Sequence, residues 1–356
     1  MGLIFSEHLD YQLMAKMVAQ SATRALGLLI AKSKVTGGMP YDVFTQLYNS
    51  LVQPVIDYGA AVWGTREYTC VKSVQYKACR YFLGTGKYTP NTAVEGEMAW
   101  TFPQQKIDIC VTRLWCRLMN MDQQRINKRI FMWSNEQNVK NWNWRVKQMF
   151  SKMQVSHLTN PDHTENPKAV IEYMSDVLGE FYEQKWWAAL HREEAIRGQG
   201  RNKLRTYRKF KDNFIVEPYV KNTMPKKYRS AFAKFRCGVA PLRLETGRYE
   251  GLKEEERQCI LCENNDIESE LHVIMCCPVY ANIRAPLLEQ AADIHTNFIE
   301  LSDTDKFVFI FIARIKFSNC QNLPQCINGK TEVNVWKVTI LIIIYEVFLI
   351  LLHNMF

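Results

Sequence analysis

The stretch DYQLMAKMVAQSATRALGLLIAKSKVTGG, residues 10–38, sets how the rest of the chain is read. Met14, Met17, Val18, Ser21, Ala22, Ala25 and Leu29 recur at three- and four-residue intervals, which places them on one face of an α-helix. Asp10 stands where a carboxylate caps the first free backbone N–H groups. Lys32 and Lys34 complement the negative C-terminal end, and Gly37-Gly38 supplies the residue type that ends helices.

The same period continues outward. Pro40 suits the first turn of a second helix with Phe44, Leu47, Tyr48 and Leu51 inward. Pro54 has no N–H to donate, so this helix must kink or restart just before Tyr58. A third helix over about 66–83 carries Val71, Val74, Ala78 and Phe82 and stops at Gly84. Beyond Pro103, Ile107, Cys110, Val111, Leu114 and Leu118 share a face, and helices near 124–133 and 138–153 complete a helical domain over 1–153. The Asn-, Asp-, Thr- and Pro-rich stretch 154–167 reads as a linker. A long helix is expected over 168–196, with Val170, Tyr173, Met174, Val177, Leu178, Phe181 and Trp186 inward. A basic arm and a small Cys/His module fill 197–285, and a C-terminal helix with a hydrophobic tail fills 286–356. The fold class expected is mostly α.

Composition is consistent with packed cores: 47% of the 356 residues are hydrophobic, with nine Trp, sixteen Tyr and eighteen Phe. The eleven Cys do not form the pattern of a secreted disulfide framework, and Cys70, Cys79, Cys110 and Cys116 sit singly inside helical patterns. With no signal peptide read at the start, the expected compartment is reducing and intracellular, nuclear or cytoplasmic. Val338 to Leu352 is an apolar run interrupted by Thr339, Tyr345 and Glu346. It is short of the roughly twenty residues a spanning helix needs. Weak membrane association, a buried helix and an unselected extension stand as three readings of it.

Charge is concentrated in one place. Arg197, Arg201, Lys203, Arg205, Arg208, Lys209, Lys211, Lys221, Lys226, Lys227, Arg229, Lys234 and Arg236 are opposed within that window only by Asp212 and Glu217. The window carries a net +11 against +9 for the whole chain, so the remainder is slightly acidic. Such a local excess is the footprint of a polyanion-binding surface, here RNA, DNA or their hybrid. Tyr207, Phe210, Phe214, Tyr219, Tyr228, Phe232 and Phe235 interleave with it, as in surfaces that stack single-stranded bases. Tyr228, Phe232 and Phe235 also share helical spacing, which favours the core for Phe232 and Phe235.

About twenty residues later come Cys259-x2-Cys262, His272 and Cys277, with Cys276 as a one-residue alternative. Two thiolates on one tight turn, with an imidazole and a thiolate on a second segment, are a tetrahedral zinc ligand set. Gln258 to Pro278 holds too few large apolar residues for a core of its own, so metal would have to fold it. Acids at Glu263, Asp266, Glu268 and Glu270 make this loop a poor phosphate contact and a better brace for the arm. Catalytic patterns are lacking: the sequence has no Asp-Asp pair or Tyr-x-Asp-Asp, no P-loop and no Gly-x-Ser-x-Gly.

The run from Ser50 through Leu51-Val52-Gln53-Pro54, Tyr58-Gly59 and Trp63 resembles the "L-V-x-P-x-x-x-Y-G-x-x-x-W" block just beyond the palm of non-LTR (LINE-type) retrotransposon reverse transcriptases. Gln75, Arg80 to Gly84, Thr89-Pro90 and a Glu before the next Pro continue the likeness, and Gly2-Leu3 to Leu9-Asp10 is similar to the strand closing the palm. Arg236-Cys237-Gly238, Pro241-Leu242-Arg243, Glu245 to Arg248 and Cys277-Pro278-Val279-Tyr280 resemble that family's C-terminal knuckle. The resemblance spans roughly residues 1–310. It implies a thumb-like helical domain and a knuckle gripping template RNA and target DNA. Fingers and palm would lie before Met1, leaving this part non-catalytic by itself. A membrane-tethered or adaptor protein, using the helical domain for protein contacts, is the alternative.

Overall fold

A computed structural model describes residues 2–4, 7, 10–137, 139–192, 203–222 and 224–312. These residues are mostly helical, and the β-pairing among them is one isolated antiparallel bridge between Gln258 and Ile267. Among the described residues ten helices reach eight residues or more: α1 Gln12–Val35, α2 Thr69–Leu83, α3 Asn91–Met98, α4 Pro103–Met119, α5 Ile126–Glu136, α6 Trp142–Lys152, α7 Pro167–His191, α8 Lys226–Arg236, α9 Ala281–Ile294 and α10 Asp303–Ile312.

Asp10 begins α1 as expected, its Oδ1 accepting from the Gln12 amide at 3.1 Å. The buried face is Met14, Ala15, Val18, Ala19, Ala22, Leu26 and Leu29. Met17 is exposed, so the stripe lies slightly around the helix from the one its sequence suggests. The next helix, Tyr41–Leu47, passes into a π-turn over Tyr48–Val52. The wider turn carries one extra residue, which brings Val52 inward in place of Leu51, half exposed at 50%. The chain then restarts as Gln53–Asp57 with Pro54 in the first turn, where its missing amide is harmless. Gly59 follows at φ +63°, and a Cβ there would stand 2.5 Å from Leu3 Cδ2.

The chain forms two compact units. The first comprises Met1–Lys34, Thr45–Ala78 and Trp100–Ala188. Trp115 of α4 is its centre, with Phe131 at 5.2 Å and Phe150 at 5.7 Å edge-on and Trp142 stacked at 6.1 Å between ring centroids. The polar stretch expected as a linker packs into this unit as two 3-10 turns, Ser156–Thr159 and Pro161–His163. Its few apolar residues, Val155 and Leu158, are buried, and Leu158 O accepts the Trp115 indole N–H at 3.0 Å. The polar side chains that suggested a loop are spent locally, as when Asn160 caps the second turn through the Asp162 amide. On α7, Val170, Met174, Leu178, Tyr182, Trp186 and Leu190 face inward, while Tyr173 is 44% exposed. Buried Asp108 of α4 accepts from Gln104 Nε2 at 2.8 Å and from the Tyr182 hydroxyl at 2.9 Å. Burial raises its carboxyl to about 6.

The second unit comprises Val35–Phe44, Cys79–Ala99 and the chain from Ala189 onward. Phe232 and Phe235 of α8 are buried, as their spacing predicted. Between them and α3 lies an internal charge cluster. Arg236 reaches both carboxylate oxygens of Glu97 through Nε at 3.1 and 3.0 Å and Oε1 through Nη2 at 2.9 Å, while Glu217 Oε2 stands 3.0 Å away. Arg236 Nη1 donates to Phe311 O at 2.8 Å, and the guanidinium lies over the Phe210 ring. Lys211 pairs with Glu217 and donates to Ile215 O, and the Tyr219 hydroxyl donates to Glu97. Two acids against two cations leave no net buried charge, which is what makes burial of such a group tolerable.

Candidate metal centre

Local backbone geometry brings the Cys/His donors together. The Gln258–Ile267 bridge pinches a hairpin in which the Cys259 amide donates to Asp266 O at 2.8 Å, and Asn265 takes the left-handed conformation its short amide side chain tolerates. This turn holds Cys259 and Cys262. The second pair comes from a π-turn, His272–Cys276, closed by the Cys277 amide donating to His272 O at 2.7 Å. Pro278 then starts the turn leading into α9, and Arg284 of α9 secures Cys277 O at 3.1 Å.

The result is one cluster: a ligand atom from each of Cys259, Cys262, His272 and Cys277, all within 4.8 Å of one another. A tetrahedral shell with bonds of about 2.0–2.3 Å needs separations slightly shorter than this. The four residues could therefore hold a metal ion. Cys262 Sγ lies 3.4 Å from His272 Nε2, which marks Nε2 as the donor nitrogen. His272 Nδ1 faces Asp266 Oδ2 at 3.5 Å, the outer carboxylate that orients metal-binding histidines. Cys276 points elsewhere: it is exposed, its Sγ 3.9 Å from Asp303 Oδ2. Burial pushes the Cys259 thiol up to about 12, raises the Cys277 thiol and lowers His272. A coordinated cation reverses this for the thiols, because coordination deprotonates them.

Two of the acids between the ligand pairs, Glu270 and Glu268, face the basic arm and the turn before the ligands. Buried Glu270 accepts from Arg205 Nη2 at 3.2 and 3.3 Å and from Thr206 Oγ1 at 3.1 Å. Glu268 accepts from the Arg243 amide and lies 3.9 Å from Cys259 Sγ. The cluster thus sits on a scaffold continuous with the 203–206 and 243–247 segments.

The arm itself divides. Arg197 and Arg201 lie outside the described residues. Lys211, Arg229 and Arg236 are buried at 2%, 4% and 1% exposure and cannot meet a polyanion. Arg229 lies over the Phe82 ring and donates to Phe82 O, and burial lowers its guanidinium to about 10. Lys209 and Lys227 are exposed, and Lys203, Arg205, Arg208 and Lys226 are half-buried. The charge excess of the window is met partly from outside it, by Glu97, Glu245 and Glu270. Tyr207 and Tyr219, read as base-stacking aromatics, are core residues at 0% and 3% exposure. Two tyrosines that no spacing singled out, Tyr88 and Tyr249, are instead 62% and 68% exposed and 6.4 Å apart.

None of the nine described cysteines is in a disulfide. Among the described residues no helix is long and apolar enough to cross a membrane, and 338–352 lies outside them. Compared with protein-family models, with curated proteins and with solved structures, the chain matches none.

Proposed function

We propose that this chain is a post-palm portion of a non-LTR retrotransposon reverse transcriptase, non-catalytic by itself. It would bind RNA, DNA or their hybrid through basic residues braced by a zinc knuckle. The observation that carries the reading is the convergence of Cys259, Cys262, His272 and Cys277 beside the arm, with Glu270 tying the ligand-bearing segment to Arg205. Zinc is the metal of choice because three soft thiolates and one imidazole with no open position match its structural sites. The sequence blocks that resemble the family, in order along residues 1–310, support the same assignment. Cations of the arm that are not buried, Lys209, Lys226 and Lys227 among them, supply the phosphate contacts.

The test is filter binding of single-stranded RNA, single-stranded DNA, an RNA–DNA hybrid and duplex DNA at two salt concentrations, with the native chain and with metal-stripped chain. The expected result is one zinc per chain, affinity falling steeply with salt, and weaker binding after stripping. Salt-independent or absent binding overturns the nucleic-acid reading, and a metal-free native preparation overturns the zinc knuckle.

A second reading, an adaptor that uses the helical domain for protein contacts, draws on Ile126, Ile130 and Trp133. These lie at i, i+4 and i+7 on α5 and are 69%, 56% and 63% exposed.

A further inference from the structure

Within the second unit a cleft of about 960 Å³, lined by charged side chains and two tyrosines, opens between the Tyr88 loop and the segment following Glu245. Its volume falls in the range of small-molecule sites. The mouth carries Tyr88 and Tyr249, centroids 6.4 Å apart and planes inclined at 53°. That separation is near the outer limit of about 7 Å for aromatic pairs, so little is lost when a third ring displaces one tyrosine from the other. Lys87 Nζ lies 4.8 Å from the Tyr88 centroid, adding a cation beside this ring.

The wall is electrostatically lopsided. Lys203 Nζ stands 2.6 Å from Glu245 Oε1 and Arg248 Nη1 2.8 Å from Glu245 Oε2. One nearly buried carboxylate therefore holds two cations, leaving one positive charge facing the cleft. Lys203 also donates to Tyr88 O at 3.3 Å, which links the charged wall to the aromatic mouth. Glu254 and Glu255 also line the cleft, together with Lys253 and Arg257. Carboxylates there disfavour phosphate beside them and are acceptors for the exocyclic amino groups of a base.

From this juxtaposition we infer that the cleft binds a nucleotide unit, with an unpaired base against Tyr88 and Tyr249 and its phosphate on Lys203 and Arg248. The unit is either one residue of a single strand or a free mononucleotide, since both present the same ring and phosphate. As a subsite for a strand the inference rests on the nucleic-acid reading above; as a mononucleotide site it stands without it.

Fluorescence anisotropy on the full chain tests it with three probes: a short single-stranded oligonucleotide, an abasic strand with the same phosphates, and adenosine monophosphate as competitor. The proteins are the native chain and the double variant Tyr88→Ala, Tyr249→Ala, whose exposed positions leave the cores untouched, with Tyr88→Phe, Tyr249→Phe as the conservative control. The native chain should prefer the base-bearing strand by about five- to a hundredfold, the range of one stacked base. The alanine variant should lose that preference and keep its abasic affinity, while the phenylalanine variant retains both. Equal native affinity for the two strands without mononucleotide binding, or an alanine variant indistinguishable from native, overturns the subsite and leaves the nucleic-acid reading standing. Mononucleotide binding that the alanine variant loses, with no binding of either strand, upholds the site and overturns that reading. Binding of none of the probes overturns both.

Discussion

Arg236 and Glu97 form an ion pair from which water is excluded: Nη2 to Oε1 is 2.9 Å, and the side chains are 1% and 0% exposed. They come from helices 139 positions apart, and Tyr219, Glu217 and Lys211 complete the cluster. Removing one partner leaves the other charged and dry.

Arg236→Met should therefore destabilise the chain by about 3–5 kcal/mol. Adding Glu97→Leu should restore much of that loss, because an apolar pair of similar volume carries no unpaired charge. Urea unfolding of the single and double variants measures both. A single variant as stable as the native chain would mean that Glu97 takes up a proton or finds another partner at little cost.

Metal binding should discriminate the adjacent cysteines. Cys277→Ser should abolish tight zinc binding and Cys276→Ser should leave one ion per chain, as read by elemental analysis after dialysis. Cys277 belongs to the converging set, whereas Cys276 is turned toward Asp303. Loss of zinc in the Cys276 variant alone would move the fourth ligand by one residue.

Asp108 predicts a pH effect. Burial raises its carboxyl from 3.8 to about 6, so the folded state binds this proton more tightly than the unfolded state does. The stabilisation is complete below the unfolded value and is lost as pH rises through about 6. Between these limits and neutral pH the stability difference between native chain and Asp108→Asn should shift against the native chain by about 3 kcal/mol. Chemical denaturation at several pH values checks the sign, and a difference independent of pH refutes the assignment.

Charge reversal should separate surface from interior. Replacing Lys209, Lys226 and Lys227 with Glu should weaken binding to all nucleic-acid sequences about equally and reduce the salt slope by about two to three. Their folding midpoint should change little. Arg229→Glu should instead lower the midpoint, because its guanidinium lies buried against Phe82. Filter binding and thermal melts on the same variants distinguish the two classes.

Helices were legible because their signals are local. A period of three to four residues, a capping Asp10 and the missing amide of Pro54 act within one turn of where they are written. The metal donors were legible for the same reason, since Cys259 to Cys277 needs only a hairpin and one π-turn to close. Finer placement was not. The π-turn at Tyr48–Val52 exchanged Leu51 for Val52, and the one at His272–Cys276 turned Cys276 outward, because an extra residue in a turn has no signature in apolar spacing.

The amino-acid sequence by itself determined the helical class, the restart at Pro54 and the residues able to hold a metal. Only the tertiary structure decided which of the eleven described cations in the basic window face water. Lys211, Arg229 and Arg236 look no different from Lys209 or Lys227 in the chain. A charge is buried only where distant segments deliver its counter-charge or a ring to lie against, as Glu97 and Phe82 do. The same holds for aromatics: Tyr207 and Tyr219 went to the core, and Tyr88 met Tyr249 across the fold. Periodicity is a short-range property of the chain, whereas desolvation depends on the whole set of neighbours that folding assembles.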